Sequence, residues 1–125
     1  MESVKSYREL IIWQKSMDLV TMIYKFTASY PREEMFGLTS QLRRAAVSIP
    51  ANISEGQARN TSGEFRQFLG IAYGSLAELE TLTILSNNLN YLTTENAEIL
   101  LKNCSEIGKM INGLLKTLTK LTTDH

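Results

Sequence analysis

Polar side chains recur every three or four residues between residues 41 and 59, beside an apolar row of the same spacing. The polar row, which we call the polar ladder, consists of Gln41, Arg44, Ser48, Asn52, Glu55 and Arg59. Such side chains can form a hydrogen-bonded network, hold a neighbouring subunit or grip phosphate oxygens. We expect the ladder to fix the packing of the bundle or to contact another subunit. Direct binding of a ligand or RNA is less favoured, and catalysis least.

Pro50 lies beside the ladder and removes one helix hydrogen bond, which predicts a kink. The carbonyl of Ala46 then lacks its usual donor, and the amide of Asn52 is placed to bridge backbone groups there. The ion pairs that we expect along the ladder are Arg44 with Glu78 or Glu80, and Glu55 with Arg59.

Basic side chains form two candidate sites for a polyanion. The first is a patch around the junction of the second and third helices, made of Arg43, Arg44, Arg59 and Arg66 with Lys25. The second is a stripe at heptad spacing, made of Lys102, Lys109 and Lys116. Arginine grips phosphate in two places, but 13 basic and 13 acidic residues leave the chain without net charge. A solvated surface is therefore the favoured interpretation of both groups.

The residue inventory argues against catalysis and against a bound cofactor. His125 is the only histidine and Cys104 the only cysteine. Neither the Glu-x-x-His pairs of di-iron bundles nor a cysteine–histidine zinc set can be assembled from them. No glycine-rich phosphate loop occurs either. We therefore expect no enzyme activity, no metal and no cofactor.

Four long helices must carry these residues. The chain has only two prolines and seven glycines, and long stretches without either favour helix. Pro31, Gly56 as a helix stop and a Thr61–Glu64 capping box set the limits. The predicted helices cover about residues 9–29, 36–55, 62–90 and 95–122. We expect one all-α domain over residues 1–125, an antiparallel up-down four-helix bundle with its second helix kinked at Pro50.

The first helix carries two apolar stripes, although packing in its own bundle requires only one. One stripe is Leu10, Trp13, Met17, Val20 and Tyr24, and the other is Ile12, Leu19, Ile23, Phe26 and Tyr30. Two stripes predict burial on two sides. We place the second stripe in an interface between subunits.

The second and fourth helices each carry one clear apolar stripe. In the second helix the stripe is Leu38, Leu42, Ala45, Ile49 and Ile53. In the fourth helix it is Ala97, Leu100, Cys104, Ile107, Ile111, Leu114, Leu118 and Leu121. Both stripes have the spacing of a buried helix face, so Cys104 is predicted to be a small core residue.

No targeting or membrane segment is recognisable. The first residues lack an apolar signal core, and no run of about 18 apolar residues occurs. A single cysteine fits a reducing compartment. We therefore expect a cytoplasmic protein that does not enter a membrane.

Spaced identities along most of the chain resemble the ribosomal-RNA intervening-sequence family of four-helix bundle proteins. They lie in residues 7–10, 13–15, 30–31 and 36–38, in Gln-Leu-Arg-Arg-Ala-Ala-Val-Ser-Ile-Pro-Ala-Asn-Ile-Ser-Glu-Gly at residues 41–56, and in residues 64–65, 68–69, 71–72 and 74–80. The resemblance covers about residues 7–92.

The resemblance implies an up-down bundle assembled as a ring-shaped homopentamer without enzyme activity. Members of the family are encoded within inserts in large-subunit ribosomal RNA genes. Related accessory variability proteins of retroelements bind nucleic acid and a reverse transcriptase, but they are strongly basic. For this chain we expect a scaffold or binding module whose partner is RNA or a nucleic-acid enzyme. The alternative is a purely structural self-assembly protein without affinity for nucleic acid.

Overall fold

The computed structural model describes residues 6–123, and four long α-helices dominate it. They are α1 (Ile11–Thr27), α2 (Leu38–Gln57), α3 (Ser62–Asn88) and α4 (Thr94–Thr123). Short 3-10 helices, Tyr7–Glu9 and Arg32–Glu34, precede α1 and α2. No strand occurs within residues 6–123, and α2 packs against both α1 and α3 while α4 packs against α3 and α1. The predicted all-α four-helix fold is therefore confirmed.

The start of α3 follows local capping chemistry. Thr61 caps α3, because its Oγ1 accepts a hydrogen bond from the backbone N–H of Glu64 at 3.1 Å. The same hydroxyl donates to Glu64 Oε1 at 3.1 Å, so the predicted capping pair is present. After α3 the chain turns at Asn90, whose φ of 64° is left-handed, a conformation that asparagine tolerates better than most residues. His125 and the side chain of Leu121 lie outside the described residues.

Helix α2 continues to Gln57 and passes through both Pro50 and Gly56. Its predicted apolar stripe from Leu38 to Ile53 is buried, as expected. The predicted stop at Gly56 is wrong, because this residue lies inside the last turn of the helix. The kink at Pro50 and the antiparallel course of the helices stay predictions.

Gly56 is needed for close approach of α2 to α3 rather than for a left-handed cap. A Cβ at this position would lie 2.7 Å from Phe68 Cβ and 3.0 Å from Phe65 Cδ1. No side chain larger than hydrogen fits at such distances without moving one of the helices. The end of α2 is therefore pressed directly onto the first turns of α3.

The stripe of α1 that we placed between subunits belongs instead to the core of the single chain. Ile12, Leu19 and Ile23 are at most 5% exposed, Tyr30 is buried, and Phe26 is half-buried against the same core. Ile12, Leu19, Ile23 and Tyr30 are therefore covered by their own bundle and are not available to another subunit, whereas Phe26 is covered only in part. The other stripe of α1 is the more exposed one, with Met17 and Tyr24 both reaching solvent.

Helix α4 packs through its predicted stripe, and Cys104 lies in the middle of it. The thiol is fully buried and free of disulfide bonds. Burial, and secondarily the carboxylate of Glu80, raises the pKa of Cys104 to about 12. The thiol is therefore neutral at physiological pH and acts as a small apolar side chain.

Helix α3 is apolar around more of its circumference than its own bundle covers. Over its most apolar 18-residue window only 33% of the residues are buried. Its uncovered large apolar side chains include Ile71, Ile84 and Leu85, and Leu89 follows directly after its end; each is 42–49% exposed. By length and composition alone such a helix could cross a membrane, but core helices of bundles share these properties. In the single chain, the outer face of α3 therefore leaves these apolar side chains partly exposed to solvent.

Replacing Gly56 by Ala tests the close contact between α2 and α3. The added methyl group should overpack the junction and lower the free energy of unfolding by about 1–3 kcal/mol. Gly113 is the matched control, since a Cβ there meets no atom within 4 Å. Gly113→Ala should stabilise by about 0.5–1 kcal/mol through helix propensity. Denaturant titration measures both values, and equal effects of the two substitutions would contradict the assignment.

The burial of Cys104 makes its reactivity a second test of the core. A thiol reagent such as dithiobis-nitrobenzoate should modify the native protein at pH 8 much more slowly than the unfolded protein, because the native thiol is covered and its pKa is raised. Between pH 8 and pH 9.5 the native thiol stays almost wholly protonated, whereas the unfolded thiol, with an ordinary pKa of about 8.5, becomes mostly thiolate, so the native protein should remain the slower to react at both pH values. Rapid labelling of the native protein would mean that this part of α4 is open.

Candidate functional site

The middle of the polar ladder forms a hydrogen-bonded cluster between α2 and α3. The hydroxyls of Ser48 and Ser75 lie 2.8 Å apart and join the two helices. Asn52 Nδ2 donates to the backbone carbonyl of Ser48 at 2.7 Å and to its hydroxyl at 2.9 Å. All three residues are partly buried, so the cluster helps to fix the register of α2 on α3. The expected bridge by Asn52 exists, but its acceptor is Ser48 and not the carbonyl of Ala46.

The carboxyl-terminal end of the ladder is an exposed ion pair, as predicted. Arg59 Nη2 lies 2.9 Å from Glu55 Oε1, one helical turn away, and both side chains are about half exposed. The guanidinium of Arg59 also lies over the ring of Phe68, 5.0 Å from its centroid. Exposed pairs of this kind contribute little to stability. Together, the ion pair with Glu55 and the contact with Phe68 hold Arg59 at the protein surface, where its guanidinium already has a carboxylate partner.

The amino-terminal end of the ladder has no such partners. The ion pairs within residues 6–123 are Lys15–Glu106 and Glu55–Arg59, so the predicted pairing of Arg44 with Glu78 or Glu80 is not formed. Arg44 and Glu78 instead line the same polar cavity, of about 380 Å³, with Gln41, Ser48 and Ser75. Glu80 lines a different cavity, beside Cys104. The two glutamates point to different sides of α3, as their spacing requires.

A second and more apolar depression lies on the other side of α2, against α1. We call it the α1–α2 groove; it has a volume of about 530 Å³ and is lined by Tyr24, Met35, Phe36, Thr39, Ser40, Arg43, Arg44, Val47 and Ser48. Phe36 at its edge is 94% exposed. Within the described part of the chain, the hydroxyl of Thr39 is a buried side-chain oxygen without a hydrogen-bond partner.

Arg43 is held rigidly in this groove. Its Nε donates to Thr27 Oγ1 at 3.0 Å, and its guanidinium carbon lies 4.5 Å from the centroid of the Tyr24 ring. Stacking and the hydrogen bond fix the plane of the guanidinium. Arg43 takes part in neither ion pair of the described chain. The groove therefore presents a half-buried, oriented cation without a counter-ion.

Sequence patterns did not identify this groove. Met35 and Phe36 precede α2 and belong to neither helical stripe, and Thr39 lies outside the polar ladder. The sequence did contain one indication of the groove, the adjacent apolar residues Met35 and Phe36. Neither residue belongs to an apolar stripe, so neither had a predicted position in the core. Only the fold shows that Met35 and Phe36 lie beside Arg43 in a depression next to α1.

The predicted basic patch is not a single surface. Arg43 lies within α2 and Arg59 lies two residues beyond its end at Gln57, and the stretch of helix from Arg43 to Gln57 alone is about 21 Å long. Arg43 turns toward α1, Arg44 lies on the ridge between the two cavities, and Arg59 pairs with Glu55. Arg66 is half-buried near the start of α3. These four arginines therefore do not combine into one binding site.

Lys102, Lys109 and Lys116 are all exposed along α4, where they form the predicted stripe. Nearby, Glu106 accepts a hydrogen bond from Lys15 of α1 at 2.7 Å, and this bond lowers the pKa of the carboxyl group. Within residues 6–123, no group of three or more His, Cys, Asp or Glu side chains is arranged to hold a metal ion. The stripe is the most continuous basic surface among the sites we predicted.

Two comparisons, one with protein-family models and one with solved structures, found similar proteins. The family model described as 23S rRNA-intervening sequence protein matches residues 8–113. A crystal structure of a protein with unknown function from the S23 ribosomal protein family of Bacteroides thetaiotaomicron VPI-5482 has 28% sequence identity and a TM-score of 0.77. The match covers 85% of this chain and 99% of that chain. No curated protein matches the chain.

Asn52→Ala tests the contribution of the ladder cluster. Removing the amide takes away two hydrogen bonds and leaves the Ser48–Ser75 pair less constrained, so we expect a loss of about 1–3 kcal/mol in the free energy of unfolding. Asn103 is the matched control, because its amide also donates to the carbonyl four residues earlier, at 2.8 Å, whereas Asn52 donates in addition to a hydroxyl that joins two helices. Asn103→Ala should cost less than about 0.5 kcal/mol. Thermal or denaturant unfolding gives both values, and a neutral Asn52→Ala would remove the cluster from the account of stability.

Proposed function

Because the chain belongs to the family of 23S rRNA-intervening sequence proteins, we propose that it is a non-enzymatic, self-assembling helical scaffold. The observation that carries this proposal is the apolar surface that one copy leaves uncovered. One copy exposes Met35, Phe36 and Val47 at the edge of the α1–α2 groove, Ile71 and Leu85 on the outer face of α3, and Ile84 and Leu89 beside that face. Single-chain soluble proteins rarely leave large apolar patches open.

A second copy covers such a surface better than lipid does. Glu78 and Glu80 lie within α3, where a membrane-spanning helix would carry them into the hydrocarbon core. A charged side chain there costs several kcal/mol or more, with about 2.5–3.5 kcal/mol as the lower estimate. In a protein interface the same carboxylates can meet cations. Protein–protein burial is therefore the cover that we propose, in a cytoplasmic homo-oligomer.

The family resemblance sets the proposed number of subunits at five, in a closed ring. Ring closure requires that each copy present two different surfaces, one for each neighbour. The α1–α2 groove and the outer face of α3 are two such surfaces, on different sides of α2. The proposed pentamer would display five copies of the lysine stripe of α4.

The proposed partner of this ring is RNA or a nucleic-acid enzyme, and the lysine stripe supports it. Repetition in a ring raises the effective affinity of a weak site for a long polyanion. The alternative is self-assembly without affinity for nucleic acid. It is supported by the absence of net charge and by the pairing of Arg59 with Glu55 within the chain.

Light scattering coupled to size exclusion tests both the self-assembly and the binding of RNA. We expect a mass near five times the 14.1 kDa of one chain. Addition of a short structured RNA should raise the mass at low salt and not at moderate salt, because phosphate contacts release counter-ions. Replacement of Lys102, Lys109 and Lys116 by Gln should remove the shift, whereas Glu95→Gln with Glu98→Gln should not weaken it. A monomer at all concentrations would overturn the scaffold, and an oligomer that ignores RNA would favour the alternative.

A further inference from the structure

The α1–α2 groove and the outer face of α3 are complementary in charge as well as in apolarity. We propose that the groove of one copy receives the outer face of α3 from the next copy, with Glu78 of the incoming helix bound to Arg43 of the groove. This inference rests on the proposed self-assembly and specifies which surfaces meet. It gives the oligomer a head-to-tail contact with one ion pair at its centre.

The groove supplies a cation that lacks a carboxylate. Arg43 uses Nε for Thr27 and its π face for Tyr24, so the terminal amino groups remain for another acceptor. An oriented guanidinium binds a carboxylate through two parallel hydrogen bonds. The walls around it are the apolar side chains of Met35, Phe36 and Val47, which would exclude water from the pair.

Helix α3 supplies the matching anion. Ile71, Glu78 and Leu85 follow one another at intervals of seven residues, so they lie on one face of the helix. All three are exposed, and Glu78 takes part in neither ion pair of the described chain. Gly74 lies one turn before Glu78, and the space beyond its Cα is open. This face is thus an apolar stripe with one carboxylate at its centre and room for a close neighbour.

The two surfaces adjoin each other across one part of α2. Arg44 and Ser48 line both the α1–α2 groove and the polar cavity that contains Glu78. This part of α2 therefore forms a ridge, with the groove on its α1 side and Glu78 on its α3 side. Since the two surfaces differ, the contact is heterologous, and repetition of it closes a ring or continues as a filament.

Reversing the charges tests the pair. Arg43→Glu and Glu78→Arg should each place like charges in the interface and weaken assembly at least tenfold in dissociation constant, measured by light scattering over a dilution series. The double variant restores opposite charges and should recover most of the wild-type mass. Arg8→Glu and Glu98→Arg carry the same charge changes at exposed positions outside the groove and outside α3 and should leave the mass unchanged.

Circular dichroism of every variant separates assembly from folding. If Arg43→Glu loses its helical signal, Arg43→Gln and Glu78→Gln replace the reversals, and each should still shift assembly to higher concentration. Folded single variants that keep the wild-type mass would overturn the proposed contact while leaving self-assembly in place. Folded single variants that dissociate without rescue in the double variant would also overturn the ion pair. A wild-type monomer would instead overturn the proposed function itself.

Discussion

The close packing of α2 onto α3 is the contact on which the rest of the structure depends. At one end Gly56 allows the backbone of α2 to meet Phe65 and Phe68, and further along the hydroxyls of Ser48 and Ser75 join the helices. The close approach at Gly56 fixes the distance between α2 and α3, and the hydrogen bond between Ser48 and Ser75 fixes the position of α2 along α3. This register decides which part of the ladder is satisfied and which part faces solvent.

The fixed pair then determines what a single copy cannot cover. With α2 on one side and α4 on another, α3 buries one face and leaves Ile71, Ile84 and Leu85 outside. With α1 on the other side of α2, Arg43 is held beside Phe36 without a carboxylate. Covering apolar surface contributes about 25 cal/mol per Å². The proposed ring follows from a subunit that forms its own core but leaves apolar side chains exposed on its surface.

Sequence patterns predicted the fold well because periodicity reports burial directly. The apolar stripe of α2, the core position of Cys104 and the Thr61–Glu64 cap depend on local spacing, and the structure confirms all three. Periodicity cannot tell which apolar face meets which neighbour, so the stripe containing Ile23 was assigned to a subunit interface although the chain's own core covers it. Side-chain reach across helices is likewise invisible in sequence. The sequence therefore predicted an ion pair for Arg44 that the structure does not contain, and it did not predict the α1–α2 groove beside Phe36.

The central claim is that the exposed apolar surfaces of one copy are covered in the assembly. Hydroxyl-radical footprinting of the native protein measures this cover directly, residue by residue. We predict that Met35, Phe36 and Leu85 are protected at high protein concentration and become reactive when dilution or Glu78→Arg dissociates the assembly. Tyr73, which faces α4 through a hydrogen bond from Asn112, should react equally in both states. Full reactivity of Met35 and Phe36 at every concentration would contradict the account.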